Sequence, residues 1–379
     1  MRFAVASALA QNYDDFEVVV CDNNSTDDTA MLLSTVSDPR LRVVRSDRTL
    51  SMPENWELAV SHARGEYVTI LADDCFLLPH LIRTAVNELL GHDLDVAVWQ
   101  FCAYFDNTWV EKGRRNIVYV PNLTGHVTVA ESSTALRRLF DFDQSVMTSI
   151  PKVLNSLCHR DVLRDVIVSQ GRVFVPSCPD YSSAAAIMLH RPQYLLIDRA
   201  LYLDGVTTAS VGASASFNMS ASAQVMLSEF SESVDELLFL GVPTSPSGVA
   251  ASLQAMSARY PDRCGPLNEV AVLGEIVDRL VKIEGNGGRV VDDWQKVKRH
   301  IRTLPARDRR RLLGRRLRSR ATWAVMRRVR NSARLERLET LRNVRIIDGR
   351  TWGFTNIQEC AQVLMERGLL DAEGTVSSR

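Results

Sequence analysis

Short apolar runs alternate with longer segments of helical spacing over the first 90 residues. Three of the apolar runs predict strands, at Glu17–Asp22, Leu41–Ser46 and Tyr67–Leu71. The segments around them predict helices, in "FAVASALAQNYDDF", after "NNSTDDT" and in "MPENWELAVSHARG". Strands and helices that alternate at this spacing form βαβ units on a mainly parallel sheet. We therefore expect an α/β fold whose sheet is flanked by helices.

Polar residues at the helix ends support these boundaries. Ser25 is a suitable N-cap, and Asp28 three residues later makes a variant of the capping box. Pro53 falls in the first turn of the next helix, and Gly65 follows its end.

Farther along, strand and helix patterns continue to about residue 223. The segment from Asp204 to Ala223 is rich in Ser, Ala and Gly, which predicts a flexible loop. Beyond residue 224 the pattern is helical to the end. We therefore expect an α/β domain over residues 1–223 and a mostly helical region over residues 224–379.

Composition is that of an ordinary globular protein, with 46% hydrophobic and 24% charged residues among 379. No apolar run approaches the roughly 18 residues of a membrane helix, and the N-terminus lacks the pattern of a signal peptide. The seven cysteines are scattered, with no CxxC pair and no zinc-ligand spacing. We expect reduced thiols and a cytoplasmic location, with peripheral contact to the inner face of a membrane left open.

A net charge of zero conceals a strongly basic segment. Residues 296–345 contain 19 Lys and Arg against 3 Asp and Glu, so this segment carries about +16 and the rest about −16. Apolar residues are interleaved with these arginines, which suits docking on an anionic membrane. A salt-bridged helical face packed on the acidic part of the chain explains the pattern equally well. Nucleic-acid binding is less favoured, because no aromatic platform accompanies the charges.

Three carboxylate positions are candidates for chemistry. Asp22 and the pair Asp73–Asp74 follow predicted strands, and ligands of such sheets bind beyond the carboxyl ends of the strands. Adjacent carboxylates suit Mg²⁺ or Mn²⁺ bound with a diphosphate, although a solvated turn with Asp74 as a helix cap is the simpler reading. Asp22 also suits a turn with no binding role, because the residues that follow it are turn-forming whatever their function. Asp180, before a predicted helix, is either an N-cap or a general base.

Together these segments resemble a known family. "SALAQNYDDFEVVVCDNNSTDDT", "DPRLRVVRS" and "NWELAVSHARGEYVTILADDCFLLP", in this order and spacing, resemble the start of a family 2 inverting glycosyltransferase of GT-A fold. The resemblance is strong over residues 7–90, weaker to about 223, and absent from the C-terminal third.

The resemblance implies a role for each candidate. Asp22 corresponds to the acid that binds the donor nucleoside, Asp73 to a residue near the ribose, and Asp74 to the metal ligand of the DXD-type motif. Asp180, in "CPDY", corresponds to the catalytic base, and the Ser/Ala/Gly loop to the one that closes over the donor. Asn55 corresponds to the Asn of an Arg–Asn pair that contacts the nucleotide.

Three features depart from the family pattern. The family usually begins with a strand and a "PTYN"-like turn that this sequence lacks, so we expect the sheet to miss its first strand, through a start codon assigned too late or a damaged protein. Glu54 replaces the Arg of the Arg–Asn pair, which removes one phosphate or base contact. Cys75 stands where a third acid is common.

The sequence thus predicts a metal-dependent, inverting glycosyltransferase. Its donor would be a UDP-, GDP- or dTDP-linked sugar with Mg²⁺ or Mn²⁺, and its acceptor a polysaccharide, glycolipid or glycoprotein. One alternative is a catalytically inactive GT-A-like binding or assembly subunit, which the missing strand favours. Another is a membrane- or polyanion-binding protein that acts through the arginine-rich segment.

Overall fold

The computed structural model describes residues 1–208, 230, 232–329 and 344–370. The strands in these ranges are β1 (Val18–Asp22), β2 (Leu41–Arg45), β3 (Tyr67–Val68), β4 (Phe76–Leu77), β5 (Val96–Phe105), β6 (Ile117–Pro121), β7 (Val127–Glu131), β8 (Ser156–His159), β9 (Gln193–Val206) and β10 (Val344–Asp348). The helices are α1 (Arg2–Leu9), α2 (Thr29–Ser34), α3 (Met52–His62), α4 (Leu81–His92), α5 (Ser132–Phe140), α6 (Arg160–Gln170), α7 (Pro179–His190), α8 (Val234–Leu237), α9 (Ser245–Arg259), α10 (Pro261–Cys264), α11 (Glu269–Gly285), α12 (Val291–Thr303), α13 (Ala306–Val329), α14 (Gly349–Trp352) and α15 (Ile357–Glu366).

The strands form two sheets. β1 and β2 pair in parallel and form a small sheet of their own. In the larger sheet β5 pairs in parallel with β9, while its pairs with β6 and β8 are antiparallel. The predicted α/β class, a sheet flanked by helices and followed by a mostly helical region, is confirmed, and the strand directions are more mixed than the sequence pattern indicated.

The centre of the larger sheet is β5. Its first four residues, Val96 to Trp99, are fully buried, as expected for a strand with both faces covered. One face packs on α4 with β4 and β9, and the other contributes to the core formed with helices α5, α7, α9 and α11. The sheet is therefore a rigid frame for the loops that leave its ends.

Helix α3 begins as predicted, whereas α2 does not. Ser51 and Glu54 form a capping box, and Pro53 lies in the first turn of α3. The predicted N-cap at Ser25 is wrong, because α2 begins at Thr29 with Asp28 in the cap position. The backbone N–H of Ser25 is instead used to bind Asp22.

The strand predicted over Tyr67–Leu71 forms only at Tyr67 and Val68, which pair with β8. The next residues keep one contact on that side, since Ile70 donates its N–H to the Val153 carbonyl at 3.0 Å. Their other side faces a cavity, and no strand of the described residues pairs with them there. A strand needs a continuous ladder of partners, so the apolar run remains irregular here.

The prediction that all residues beyond 224 are helical is wrong for β10. This strand, Val344–Asp348, pairs antiparallel with β6 and extends the larger sheet. Phe354 and Leu364, on the segment that follows, are buried against Tyr104 of β5. The division at residue 223 remains a prediction, and residues 344–370 pack directly on the sheet of the first part.

Among the residues described, no helix combines the length and the apolar character that crossing a membrane requires.

Candidate active site

One large cavity, of about 1830 Å³, opens between the end of β1, helix α3 and the segment that follows β3. Its wall contains every site residue that the sequence predicted, and these are Asp22, Asn55, Asp73, Asp74 and Asp180. They come from β1, α3, the turn before β4 and the first turn of α7. The fold therefore brings residues that are up to 158 positions apart in sequence into one site.

Asp22 lies at the carboxyl end of β1 and is buried. Its carboxylate accepts hydrogen bonds from the Ser25 backbone N–H at 2.9 Å and from the Arg45 guanidinium. Burial alone would raise the pKa of Asp22, but these bonds from Ser25 and Arg45 outweigh it and hold the pKa below its usual value. Asp22 is therefore an ionised carboxylate with its own internal cation.

Asn55 projects from the first turns of α3 into the same cavity. Its side-chain oxygen Oδ1 is buried and has no hydrogen-bond partner among the described residues. A buried polar atom without a partner is costly. Asn55 is therefore suited to accept a hydrogen bond from a ligand.

Asp73 and Asp74 form the turn between β3 and β4. Asp73 is exposed at the rim of the cavity, and Asp74 is partly buried. The backbone of Asp74 packs against Gly205, at which an added Cβ would lie 1.8 Å from the Asp74 carbonyl oxygen. Only glycine fits at this contact, which fixes the position of Asp74.

Asp204, near the end of β9, joins Asp74 at the cavity wall. The Cys75 sulfur lies 3.6 Å from Asp74 Oδ1 and 3.4 Å from Asp204 Oδ1, so the two carboxylates are neighbours. Burial raises the pKa of Asp204 to about 6, and the charge of Asp74 acts in the same direction. Burial likewise raises the pKa of the Cys75 thiol well above its usual value, so the thiol remains protonated.

Asp180 lies in the first turn of α7 and not at its N-cap, which is Cys178. The N-cap interpretation of Asp180 is therefore wrong, and its carboxylate is available to the cavity. Behind it, Lys152 Nζ lies 3.7 Å from Asp180 Oδ2 and 4.0 Å from the centre of the Tyr181 ring. Burial alone would lower the pKa of Lys152, but Tyr181 and Asp180 outweigh it and the pKa is raised.

Sequence reasoning missed two members of the site. Lys152 follows a proline in an irregular segment before β8, where no pattern marks it. Asp204 was assigned to the flexible loop Asp204–Ala223, although it continues a run of β-formers, "YLLIDRALYLD", that forms β9. From residue 209 onward that predicted loop lies outside the described residues.

The donor set suits a hard divalent cation brought by a substrate. Mg²⁺ and Mn²⁺ prefer oxygen ligands and often take only one or two protein carboxylates beside phosphates and water. Asp74 and Asp204 offer such oxygens, whereas the described residues contain no group of three or more His, Cys, Asp or Glu side chains arranged to hold a metal. The residues therefore fit a metal that is shared with a diphosphate.

Solved structures provide one comparison. TarS of S. aureus aligns over 86% of this chain and 52% of its own, with 12% identity and a TM-score of 0.47. Its fragment 1–349 in complex with UDP-GlcNAc aligns over 87% of this chain and 88% of its own, with 15% identity and a TM-score of 0.42.

Curated relatives match only a part of the chain. Glycosyltransferase GlyG of Streptococcus pneumoniae serotype 4 is 26% identical over 102 residues, which are 26% of this chain and 34% of GlyG. Succinoglycan biosynthesis protein ExoO of Rhizobium meliloti is 32% identical over 95 residues, 25% of this chain and 27% of ExoO. The UDP-Glc:alpha-D-GlcNAc-diphosphoundecaprenol beta-1,3-glucosyltransferase WfaP of Escherichia coli is 31% identical over 83 residues, 22% of this chain and 33% of WfaP. The matched part thus spans about a third or less of each of these relatives.

The family comparison covers the N-terminal part of the chain. Residues 1–163 match the family model described as "Glycosyl transferase family 2". These residues contain β1, α3 and the Asp73–Asp74 turn, which carry four of the five predicted site residues. The resemblance found in the sequence is thereby confirmed over residues 1–163, which are similar to the glycosyltransferases of family 2.

Proposed function

We propose that the chain is an inverting, metal-dependent glycosyltransferase that moves a sugar from a nucleotide-sugar to a glycan or lipid-linked acceptor. The observation that carries the proposal is the gathering of Asp22, Asn55, Asp73, Asp74 and Asp180 in one cavity of about 1830 Å³. A cavity of this size accommodates a nucleotide-sugar together with the reacting end of an acceptor.

The donor nucleotide lies along the β1 and α3 side of the cavity. Asp22 accepts from the nucleoside, Asn55 Oδ1 accepts a ligand N–H or O–H, and Asp73 at the rim accepts from the ribose. UDP-linked donors are favoured, because the relative WfaP is named as a transferase that uses UDP-Glc.

The diphosphate lies beside Asp74, with Asp204 as its neighbour. Both carboxylates are negative when ionised, so a diphosphate can approach them only with a compensating cation. Mg²⁺ or Mn²⁺, held by Asp74, would neutralise charge on the diphosphate when bound. The contact between Gly205 and the Asp74 backbone keeps that carboxylate in place.

Asp180 is the base. Its carboxylate takes the proton from an acceptor hydroxyl, whose oxygen attacks the anomeric carbon from the face opposite the diphosphate. The new glycosidic bond forms as the bond to the diphosphate oxygen breaks, and the configuration inverts. Lys152, 3.7 Å from Asp180, orients this carboxylate from behind the cavity wall.

The acceptor enters at the side of the cavity formed by β5 and the start of α15. Polar residues suited to sugar hydroxyls line this side, and these are Asp106, Asn107, Thr355 and Asn356. The relative WfaP is named for a diphosphoundecaprenol-linked sugar as its acceptor. A polyprenol-linked glycan at the inner face of a membrane, with the enzyme in the cytoplasm, is accordingly the proposed setting.

One observation favours an inactive, ligand-binding subunit as the second candidate. Asp22 is already satisfied by Arg45 and Ser25, so a nucleoside would compete with these internal bonds. Arg45 is 44% exposed in its side chain, however, and can turn away at little cost.

The test is release of UDP from UDP-glucose and UDP-N-acetylglucosamine by the purified chain with Mn²⁺, comparing Asp74→Asn with a control. Asp262→Asn is the matched control, since it makes the same change in the exposed first turn of α10, away from the cavity. Loss of UDP release in Asp74→Asn alone, with unchanged thermal unfolding, supports the enzyme. Metal-dependent nucleotide binding without any UDP release would instead support the binding subunit.

A further inference from the structure

Helix α13 carries the arginine-rich segment, and its two faces differ in whether their arginines form ion pairs. Its inward face packs on α11, where Leu312 is buried. On the same side Arg315 pairs with Glu275 at 2.5 Å and Asp278 at 2.7 Å, and Arg320 pairs with Glu284 at 2.8 Å. The salt-bridged packing that the sequence offered as one explanation of the arginines is thus found, but only for this face.

The outward face carries two exposed leucines. Leu313 is 55% exposed and Leu317 is 70% exposed, and they lie four residues apart on neighbouring turns. The outward side of a helix packed on a globular protein is normally polar. Two leucines at this spacing therefore indicate a face that is covered by something outside the described residues.

Arginines surround these leucines. At about 100° per residue, positions 307, 310, 311, 313, 314, 317 and 318 share the outward half of the helix. Arg307, Arg310, Arg311 and Arg318 are exposed, and no ion pair of the described residues includes any of them. The single acid of the helix among the described side chains, Asp308, does not balance four cations.

We propose that the outward face of α13 docks on an anionic lipid bilayer, with the helix lying in the plane of the interface. Leucines of such a helix enter the boundary between headgroups and acyl chains while arginines reach the lipid phosphates. Each basic residue near an anionic bilayer strengthens binding about fivefold. This inference goes beyond the proposed sugar transfer and does not rest on it.

The aromatic residues of this region argue against nucleic acid as the occupant. Trp323 packs inward against Gly285, and Trp294 is covered by Arg316 at 4.0 Å. Neither ring is therefore free on the outward face to stack on a base. Exposed leucines also add nothing to phosphate binding, whereas they add directly to bilayer binding.

The test is co-sedimentation of the full chain with phosphatidylcholine vesicles, with and without phosphatidylglycerol. We expect binding only to the anionic vesicles, weakening as salt rises. Arg310→Glu/Arg318→Glu should lower partitioning at least about 25-fold, as two arginines at fivefold each give. Leu313→Ser/Leu317→Ser should lower it several-fold at every salt concentration.

Arg137→Glu/Arg164→Glu is the matched control, because both residues are exposed arginines on other helices and the net charge changes equally. Wild-type partitioning of Arg310→Glu/Arg318→Glu, or equal losses in both double variants, would overturn the proposal. So would binding to a single-stranded oligonucleotide in place of vesicles. UDP binding, measured in parallel, should be unchanged in Arg310→Glu/Arg318→Glu, which separates this test from that of the transferase.

Discussion

The two carboxylate regions of the cavity differ in how their charge is balanced. At the end of β1, Asp22 has its own cation, Arg45, and a backbone donor from Ser25. At the other end three carboxylates, Asp74, Asp180 and Asp204, lie near one lysine, Lys152, which reaches only Asp180 directly. The first region has its own cation and backbone donor, whereas in the second burial and the charge of Asp74 together raise the pKa of Asp204. The cation and diphosphate of the proposed reaction are therefore expected at the second region.

The largest effect is expected at the proposed base. Asp180→Asn keeps the shape of the side chain and its neighbours but cannot accept a proton, so turnover should fall about 10²–10⁴-fold. UDP binding by calorimetry should remain within a factor of a few. Retained turnover would show that another group accepts the proton. The claim that the second region carries the proton-transfer step would then be wrong.

The next effect is expected at the glycine that positions Asp74. In Gly205→Ala the new Cβ would meet the Asp74 carbonyl oxygen at 1.8 Å, so the turn must move. We expect a loss of about 1–3 kcal/mol in the free energy of unfolding and at least about tenfold weaker metal-dependent nucleotide binding.

Gly91→Ala in α4 is the control, since nothing lies within 4 Å of its added Cβ. Alanine in a helix should leave nucleotide binding unchanged and stabilise the fold slightly. If Gly205→Ala and Gly91→Ala had the same free energy of unfolding and the same nucleotide affinity, a tight contact between β9 and the Asp74 turn would be contradicted.

A smaller effect is expected in the pH dependence of stability. The pKa of Asp204 is raised to about 6 in the folded chain, so between about pH 4 and pH 6 the folded state binds more protons than the unfolded state. Stability therefore falls as pH rises through this window, by up to about 3 kcal/mol above pH 6. In Asp204→Asn this fall should be absent, which urea unfolding at pH 4.5 and pH 7 measures.

For Asp204→Asn the informative quantity is its stability minus that of the wild type, which should be larger at pH 7 than at pH 4.5. A difference that does not change with pH would mean that neither burial nor the charge of Asp74 raises the pKa of Asp204 in the folded chain.

The smallest effect is expected at the balanced region. Arg45→Met removes the cation of Asp22, whose pKa should rise toward its usual value. Because Arg45 is 44% exposed, solvent replaces much of the interaction and the loss in unfolding free energy should be about 1 kcal/mol. The dependence of UDP binding on Mn²⁺ should be unchanged. If Arg45→Met lost this dependence, the two regions would not be electrostatically independent, which contradicts the comparison.

The sequence indicated which carboxylates lie near one another, although their roles stay predictions, and it was less successful with the length of the strand beside them. Asp22 and Asp74 follow apolar runs, so a local pattern places them at one edge of a sheet, and the cavity contains both. Tyr67–Leu71 was predicted as a full strand because the run is apolar, but a strand also needs partners, and only Tyr67 and Val68 have them.

Residues brought in by long-range packing could not be predicted in this way. Lys152 reaches Asp180 from an irregular segment 28 positions away, and nothing in its surroundings marks it. β10 pairs with β6 across more than 200 residues, although "VRIID" has the β-branched composition of a strand. The β-branched pattern of this segment was present in the sequence. It was assigned to the helical region because the basic residues before it have a helical pattern.

The most direct test of the charge contrast is calorimetric titration of the full chain with UDP, with and without Mn²⁺, for the wild type and for Asp74→Asn. If the carboxylate cluster requires a cation, UDP binds the wild type at least about tenfold more tightly with Mn²⁺, and Asp74→Asn loses this gain. Equal binding of UDP with and without Mn²⁺ in both proteins would contradict a metal at Asp74.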